Sequence, residues 1–127
     1  MCIFVQMSTE RGGSGGAIVN ISSGSALIGT PLVYAMSKGA LNSMSTGIRD
    51  ELIAQGIRIN SISPGLTNTS MVNKEMAEKI IPGIPMKRMG TPEEIAAVAV
   101  WLLSDEASYV CGAHIRVAGG RRMGCLQ

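Results

Sequence analysis

Apolar residues recur along the chain in two rhythms. Ala17-Ile-Val-Asn-Ile-Ser22, Ile57-Arg-Ile-Asn-Ser-Ile-Ser63 and His114-Ile-Arg-Val117 are short runs dominated by β-branched residues, and they predict strands. Between the first two, Leu41, Met44, Ile48 and Leu52 fall at spacings of three and four, the apolar stripe of one helix. Thr30-Pro31 predicts its start, with threonine as cap and proline in the first turn. Gln55-Gly56 predicts its end. Ala35, Gly39, Ala40, Ser43 and Gly47 make another side of this helix small enough for close approach of a second helix. Thr91-Pro-Glu-Glu94 combines a capping threonine, a proline at the first helical position and a glutamate able to reach back. The stripe Ile95, Val98, Ala99 and Leu102 follows it.

The remaining segments are less sharply marked. Residues 1–10 read as the tail of a helix, and Arg11-Gly-Gly-Ser-Gly-Gly16 as a flexible turn. A polar stretch from about Thr69 to Ile81 has helical potential and leads into the loop Pro82-Gly-Ile-Pro85. Ser104 to Ala107 reads as a turn. Strand, helix, strand, helix, helix, strand is the order of a parallel sheet with helical crossovers. The expected class is therefore α/β.

Composition narrows the chemistry. The 127 residues fit one domain, 46% apolar and 16% charged, which is globular and not disordered. With one Phe, one Trp and two Tyr, the core must be aliphatic, its nine methionines filling gaps. Base-stacking platforms are excluded, and a net charge of +2 with only Lys87-Arg88 and Arg121-Arg122 as adjacent basic pairs leaves no nucleic-acid footprint. Cys2, Cys111 and Cys125 form no C-x-x-C pair and no zinc set with His114. Three free thiols in a reducing compartment are expected. The opening residues make no signal peptide, and the run Ile95 to Leu103 is far below a membrane span. A soluble, cytoplasmic protein without a membrane partner is the expectation.

The candidate chemistry lies in Tyr34-Ala-Met-Ser-Lys38, eleven residues beyond Ser23 in the run Asn20-Ile-Ser-Ser23. Residues four apart share a helix face, about 5–6 Å apart at Cβ. A cation so placed favours the phenolate of a tyrosine and draws its pKa toward neutrality. Such a phenol exchanges a proton with an alcohol or carbonyl oxygen near neutral pH, and a nearby serine hydroxyl can hold the same oxygen. A Tyr-x-x-x-Lys in isolation is common on helix surfaces.

With its surroundings, the chain resembles the carboxy-terminal half of the short-chain dehydrogenase/reductase family, over about residues 15–120. Ile18-Val-Asn-Ile-Ser-Ser23 is similar to that family's serine-bearing strand, and Tyr34 to Leu41 to its signature helix. Gly56-Ile-Arg-Ile-Asn60 with Ser63-Pro-Gly65, then Thr91 to Ala96, Trp101 to Asp105, Gly112 and Gly119-Gly120, follow in the same order. The resemblance implies a Rossmann-like parallel sheet lacking its amino-terminal nucleotide-binding half, so residues 1–127 form a partial domain. It implies an NAD(P)-dependent oxidoreductase that interconverts an alcohol and a carbonyl by hydride transfer. Tyr34 would exchange the proton and also contact the cofactor, and Lys38 would tune Tyr34 and hold the nicotinamide ribose. Ser23 would position substrate, with Ser22 as the alternative. Pro64, Gly65, Thr67 and Thr69 would line the cofactor, NAD or NADP, and about Thr69 to Met86 would be a substrate lid. Partners would be a small alcohol or carbonyl and further copies in a homodimer or homotetramer. Among relatives, those acting on sugars or 3-oxoacyl carriers are the nearest in pattern.

The sequence departs from the family at two places. The Ser23-to-Tyr34 segment is shorter than is usual, and the glycine-rich turn that receives the pyrophosphate is missing. Gly13-Ser-Gly15 is no substitute, because it precedes a strand, whereas the fingerprint follows one. The strand Ala17–Ser22 is therefore expected to be an exposed edge, and cofactor binding by this chain to be impaired. The competing expectation is a catalytically silent remnant that serves as an oligomerisation or interaction module. A serine–lysine hydrolase is remote, since no S-x-x-K exists.

Overall fold

The computed structural model describes residues 2–7 and 15–122. Strands β1 (Cys2–Met7), β2 (Gly16–Ile21), β3 (Ile57–Pro64) and β4 (His114–Val117) form one sheet in the order β1-β2-β3-β4. β2, β3 and β4 are parallel, with Ile18 beside Ile59 and Ile62 beside Ile115. The expected Rossmann-like parallel sheet with helical crossovers is present.

The amino-terminal residues correct two expectations. Residues 2–7 are not the tail of a helix but a strand, paired antiparallel to β2 from Cys2 opposite Ile21 to Met7 opposite Gly16. The outer side of β2 is consequently covered and is not the sheet's edge. The physical reason is the row of unpaired peptide groups that a bare edge presents, which a nearby extended segment satisfies. The glycine-rich stretch lies mostly outside the described residues, as does any account of the thiols of Cys2 and Cys125. Cys111 is a free thiol.

Alternation along each strand divides the sheet into two unlike faces. Val19 and Ile62 are fully buried against Leu102, Ala99 and Ala107, with Ile21, Ile115 and Val117 packed around them. This is the face of helix α5 (Pro92–Leu103). The expected start of α5 is realised in full: Thr91 accepts from the Glu94 amide, and Glu94 accepts from the Thr91 amide.

The opposite face carries Asn20, Ser22, Ser61 and Ser63, all buried, and is covered by α2 (Leu32–Gly47). Ser45 on α2 donates to the Leu41 carbonyl at 2.9 Å and accepts from Asn20 Nδ2 at 2.7 Å. Its single proton being used, Ser61 is the donor in the 3.0 Å Ser61–Ser45 contact. Each such bond contributes about 0.5–1.5 kcal/mol net, but leaving one buried partner unsatisfied costs about 1–3 kcal/mol. The network therefore fixes how α2 is rotated and seated on the sheet.

Several helix bounds differ from those the pattern predicts. Pro31, following a cis Thr30–Pro31 bond, is the N-cap with an extended ψ of 144°, and no side chain caps this end. The single helix expected through Leu52 is interrupted at Ile48, where φ is −100° and ψ 1°, and resumes as α3 (Arg49–Ala54). A short α1 (Ser25–Ile28) fills the loop after β2. The polar segment begins its helix α4 (Lys74–Ile80) later than expected, because Asn73 caps it by accepting from Met76 N–H. No helix among the described residues is long and apolar enough to cross a membrane.

Candidate active site

The carboxyl ends of β2 and β3 open into a cavity of about 480 Å³. Ser23, Tyr34, Pro64 and Gly65 all line it. Ser23 lies two residues beyond β2, and its Oγ accepts from the Ser25 amide at 3.1 Å. That contact uses a lone pair and leaves the hydroxyl proton free to donate. Ser22 faces the other way: it is buried and donates to the Lys38 carbonyl at 3.2 Å. Of the two serines considered, only Ser23 lines the cavity.

Tyr34 stands in the first turn of α2, 39% exposed. Lys38, one turn on, does not line the cavity; its ammonium is 5.7 Å from the centre of the Tyr34 ring and donates to the Ile21 carbonyl at 2.8 Å. Pro64 ends β3, and the chain leaves it through Gly65, whose amide donates to the Val117 carbonyl at 2.8 Å. A Cβ at residue 65 would lie 2.7 Å from Ala118 Cα, so the closeness of these two strand exits depends on glycine.

Thr67 and Thr69 do not line the cavity. Thr67 Oγ1 donates to the Gly65 carbonyl at 3.1 Å, and Thr69 is exposed before α4. Of the segment expected to be a lid, Met71, Val72, Met76 and Ile80 line the cavity. His114 lies on β4, its Nε2 2.5 Å from Ser63 Oγ, with its pKa held below the ordinary value by burial and then by Arg116. No group of three metal-ligating side chains occurs among the described residues.

The pattern of the sequence did not single out Arg116, Arg121 and Arg122, yet all three line the same cavity. The available signal was the basic pair placed directly after Gly119-Gly120.

The arrangement is one of two hydroxyl-bearing side chains lining a mainly apolar cleft, with a cation 5.7 Å from the ring of one of them. It can hold a carbonyl or alcohol oxygen and pass a proton to or from it. Comparison with known proteins finds oxidoreductases. Residues 3–122 match the family described as enoyl-(acyl carrier protein) reductase. The chain is 46% identical over 123 residues to the uncharacterized oxidoreductase YgfF of Escherichia coli, covering 91% of this chain and 50% of that one. It is 37% identical over 114 residues to acetoacetyl-CoA reductase of Cupriavidus necator, covering 86% and 46%. A solved 3-oxoacyl-[acyl-carrier protein] reductase with bound NAD from Brucella melitensis superposes with a TM-score of 0.77 at 37% identity, over 83% of this chain and 40% of that one. The chain spans about half the length of the curated relatives it matches.

Proposed function

The chain belongs to the short-chain dehydrogenase/reductase family, and from that premise we propose that it carries the proton-relay half of an NAD(P)-dependent oxidoreductase interconverting an alcohol and a carbonyl. The observation that carries this reading is the convergence of Ser23 and Tyr34 on one cavity, with Lys38 held behind the tyrosine. The substrate oxygen sits between the two hydroxyls. Ser23 donates to it and fixes its position. Tyr34 gives it a proton in reduction and takes one in oxidation. Negative charge on the phenol during either step is stabilised by the Lys38 ammonium, which lies 5.7 Å from the ring centre and is held in place by the Ile21 carbonyl. Such positioned proton transfer contributes about 10²–10⁴ in rate.

The nicotinamide end of a dinucleotide fits this cavity. Tyr34, Pro64 and Gly65 are among its lining residues, and the 480 Å³ volume is in the range of small-molecule sites. When bound, the nicotinamide supplies or accepts the hydride. Thr67 and Thr69, which the resemblance would place on its carboxamide and phosphates, lie outside this cavity and are given no contact with the nicotinamide. The described residues offer no glycine-rich turn for the pyrophosphate, so this chain alone should hold NAD(P)H weakly. The names of relatives point to 3-oxoacyl thioesters as the first substrates to try. A reducing, cytoplasmic setting belongs to the same reading and accords with the free thiol of Cys111.

The test is turnover. A preparation of the protein that reduces a 3-oxoacyl thioester with NADH or NADPH should lose at least about a hundredfold of kcat on Tyr34→Phe, with cofactor affinity kept. Full turnover by that variant overturns the assignment.

A second reading, an oligomerisation or interaction module, has its own observation. Leu32, Val33 and Met36 on α2 are 67%, 79% and 65% exposed. Added Cβ atoms at Gly39 and Gly47 would meet nothing within 4 Å. An apolar, small-residue helix face of this kind suits a second copy in a homodimer or homotetramer. Sedimentation velocity distinguishes the cases, a purely monomeric chain counting against it.

A further inference from the structure

Arg116, Arg121 and Arg122 reach the active-site cavity through a turn that the sequence builds on purpose-shaped residues. After β4, Gly119 and Gly120 both take left-handed conformations, with φ of +57° and +79°. A Cβ on Gly119 would come within 2.9 Å of Ile84 Cγ2, and one on Gly120 within 3.2 Å of Pro85. Only glycine allows this turn at this closeness. Met86 N–H donates to the Gly119 carbonyl at 3.2 Å, Arg121 N–H to the Ala118 carbonyl at 3.0 Å, and Arg116 Nη2 to the Arg121 carbonyl at 2.8 Å. The chain is thereby folded back so that Arg121 and Arg122 join Arg116 at the cavity wall.

The electrostatics of that wall are one-sided. Three arginines line it together with Ser23 and Tyr34, and among the described residues no aspartate or glutamate does. None of the three makes a salt bridge with a described residue, whereas Arg88, a short way off, is engaged bidentately by Glu94. Three arginines with no carboxylate among the described lining residues, in a cleft lined otherwise by apolar side chains and a few hydroxyls, form an anion receptor.

We propose that the substrate is a carbonyl or alcohol compound bearing an anionic group, a carboxylate or a phosphate, which docks on Arg116, Arg121 and Arg122 while its reacting oxygen meets Ser23 and Tyr34. This rests on the proposed reading only in taking Ser23 and Tyr34 as the reacting end. The arginines act on binding and specificity, not on the chemical step. Their paired donors select for planar or tetrahedral oxyanions and against neutral analogues of the same shape.

The test is binding, read without turnover, on the 127-residue chain by NMR titration of backbone amides near Ser23, Gly65 and Gly120. The probes are 4-oxopentanoate, its neutral methyl ester, dihydroxyacetone phosphate and NADH. One or both oxo-anions should bind at least about tenfold more tightly than the ester, and which one does so identifies the source of the anion. Arg121→Gln with Arg122→Gln should abolish that preference, and Arg121→Lys with Arg122→Lys should retain most of it. Equal binding of charged and neutral probes overturns the proposal, as does a preference that survives the double glutamine variant. If the glutamine variant weakens NADH and spares the oxo-anions, the arginines serve the cofactor's phosphates and the proposal fails. Tyr34→Phe leaves the anion preference unchanged, so failure here is distinguishable from failure of the proton-relay assignment.

Discussion

The ammonium of Lys38 donates to the main-chain carbonyl of Ile21 at 2.8 Å, pinning α2 to the last residue of β2. A charged donor across this junction links the helix that carries Tyr34 to the strand that delivers Ser23. Lys38→Met keeps much of the aliphatic stem and removes the bond. Hydrogen bonds to charged groups contribute about 1.5–3 kcal/mol, and the partial exposure of Lys38 places the loss toward the lower value. Urea unfolding should show that loss.

Gly65 should tolerate no side chain. In Gly65→Ala the new methyl would meet Ala118 Cα at 2.7 Å and Ala118 Cβ at 2.8 Å, so the exits of β3 and β4 must separate. Overpacking of this kind costs about 1–3 kcal/mol. Adding Ala118→Gly removes the Cβ contact but not the backbone one, so thermal melting of the double variant should show incomplete recovery.

Leu102 is fully buried at the centre of the core between α5 and the sheet. Leu102→Ala should destabilise the chain by about 2–5 kcal/mol through lost burial and the cavity left behind. Chemical denaturation is the measurement. A smaller loss would mean that Val19 and Ile62 collapse into the space.

The Arg88–Glu94 pair gives stability a specific dependence on pH. Arg88, first, and the Thr91 amide hold the Glu94 carboxyl at a pKa of about 2, against an ordinary value of 4.5. A carboxylate whose folded pKa is depressed contributes stability that is complete above the unfolded value and is lost as pH falls toward the folded one. Denaturation midpoints should therefore fall between about pH 4.5 and 2. Glu94→Gln should flatten that part of the profile, and raised salt should weaken the effect because the pair is exposed.

Removing β1 should uncover β2. A chain beginning at Gly12 would present the outer peptide groups of Gly16–Ile21, now paired with Cys2–Met7, as a bare edge. Light scattering should report concentration-dependent association of the shortened chain, exceeding that of the 127-residue chain.

Much of the fold was legible because its signals are local. β-branched runs placed β2, β3 and β4, and the capping box at Thr91 located the start of α5. The break at Ile48 was not legible, since the apolar spacing runs unbroken from Leu41 to Leu52 while the backbone does not. Nor was β1, because a strand at an edge takes its pairing from a distant neighbour.

The sequence by itself determined the α/β class, the parallel order of three strands and the Tyr34–Lys38 face, all of which follow from periodicity and caps spanning a few residues. Tertiary structure decided which of two adjacent serines enters the cavity: the pleat sends Ser22 beneath α2 and leaves Ser23 beside Tyr34. It likewise decided that the outer side of β2 is covered, and that Arg121 and Arg122 line the same cavity as Tyr34, more than eighty residues away in the chain. The physical reason is common to all three. Side-chain direction and long-range pairing are set by how packed elements close on one another, and no local pattern of residues encodes that closure.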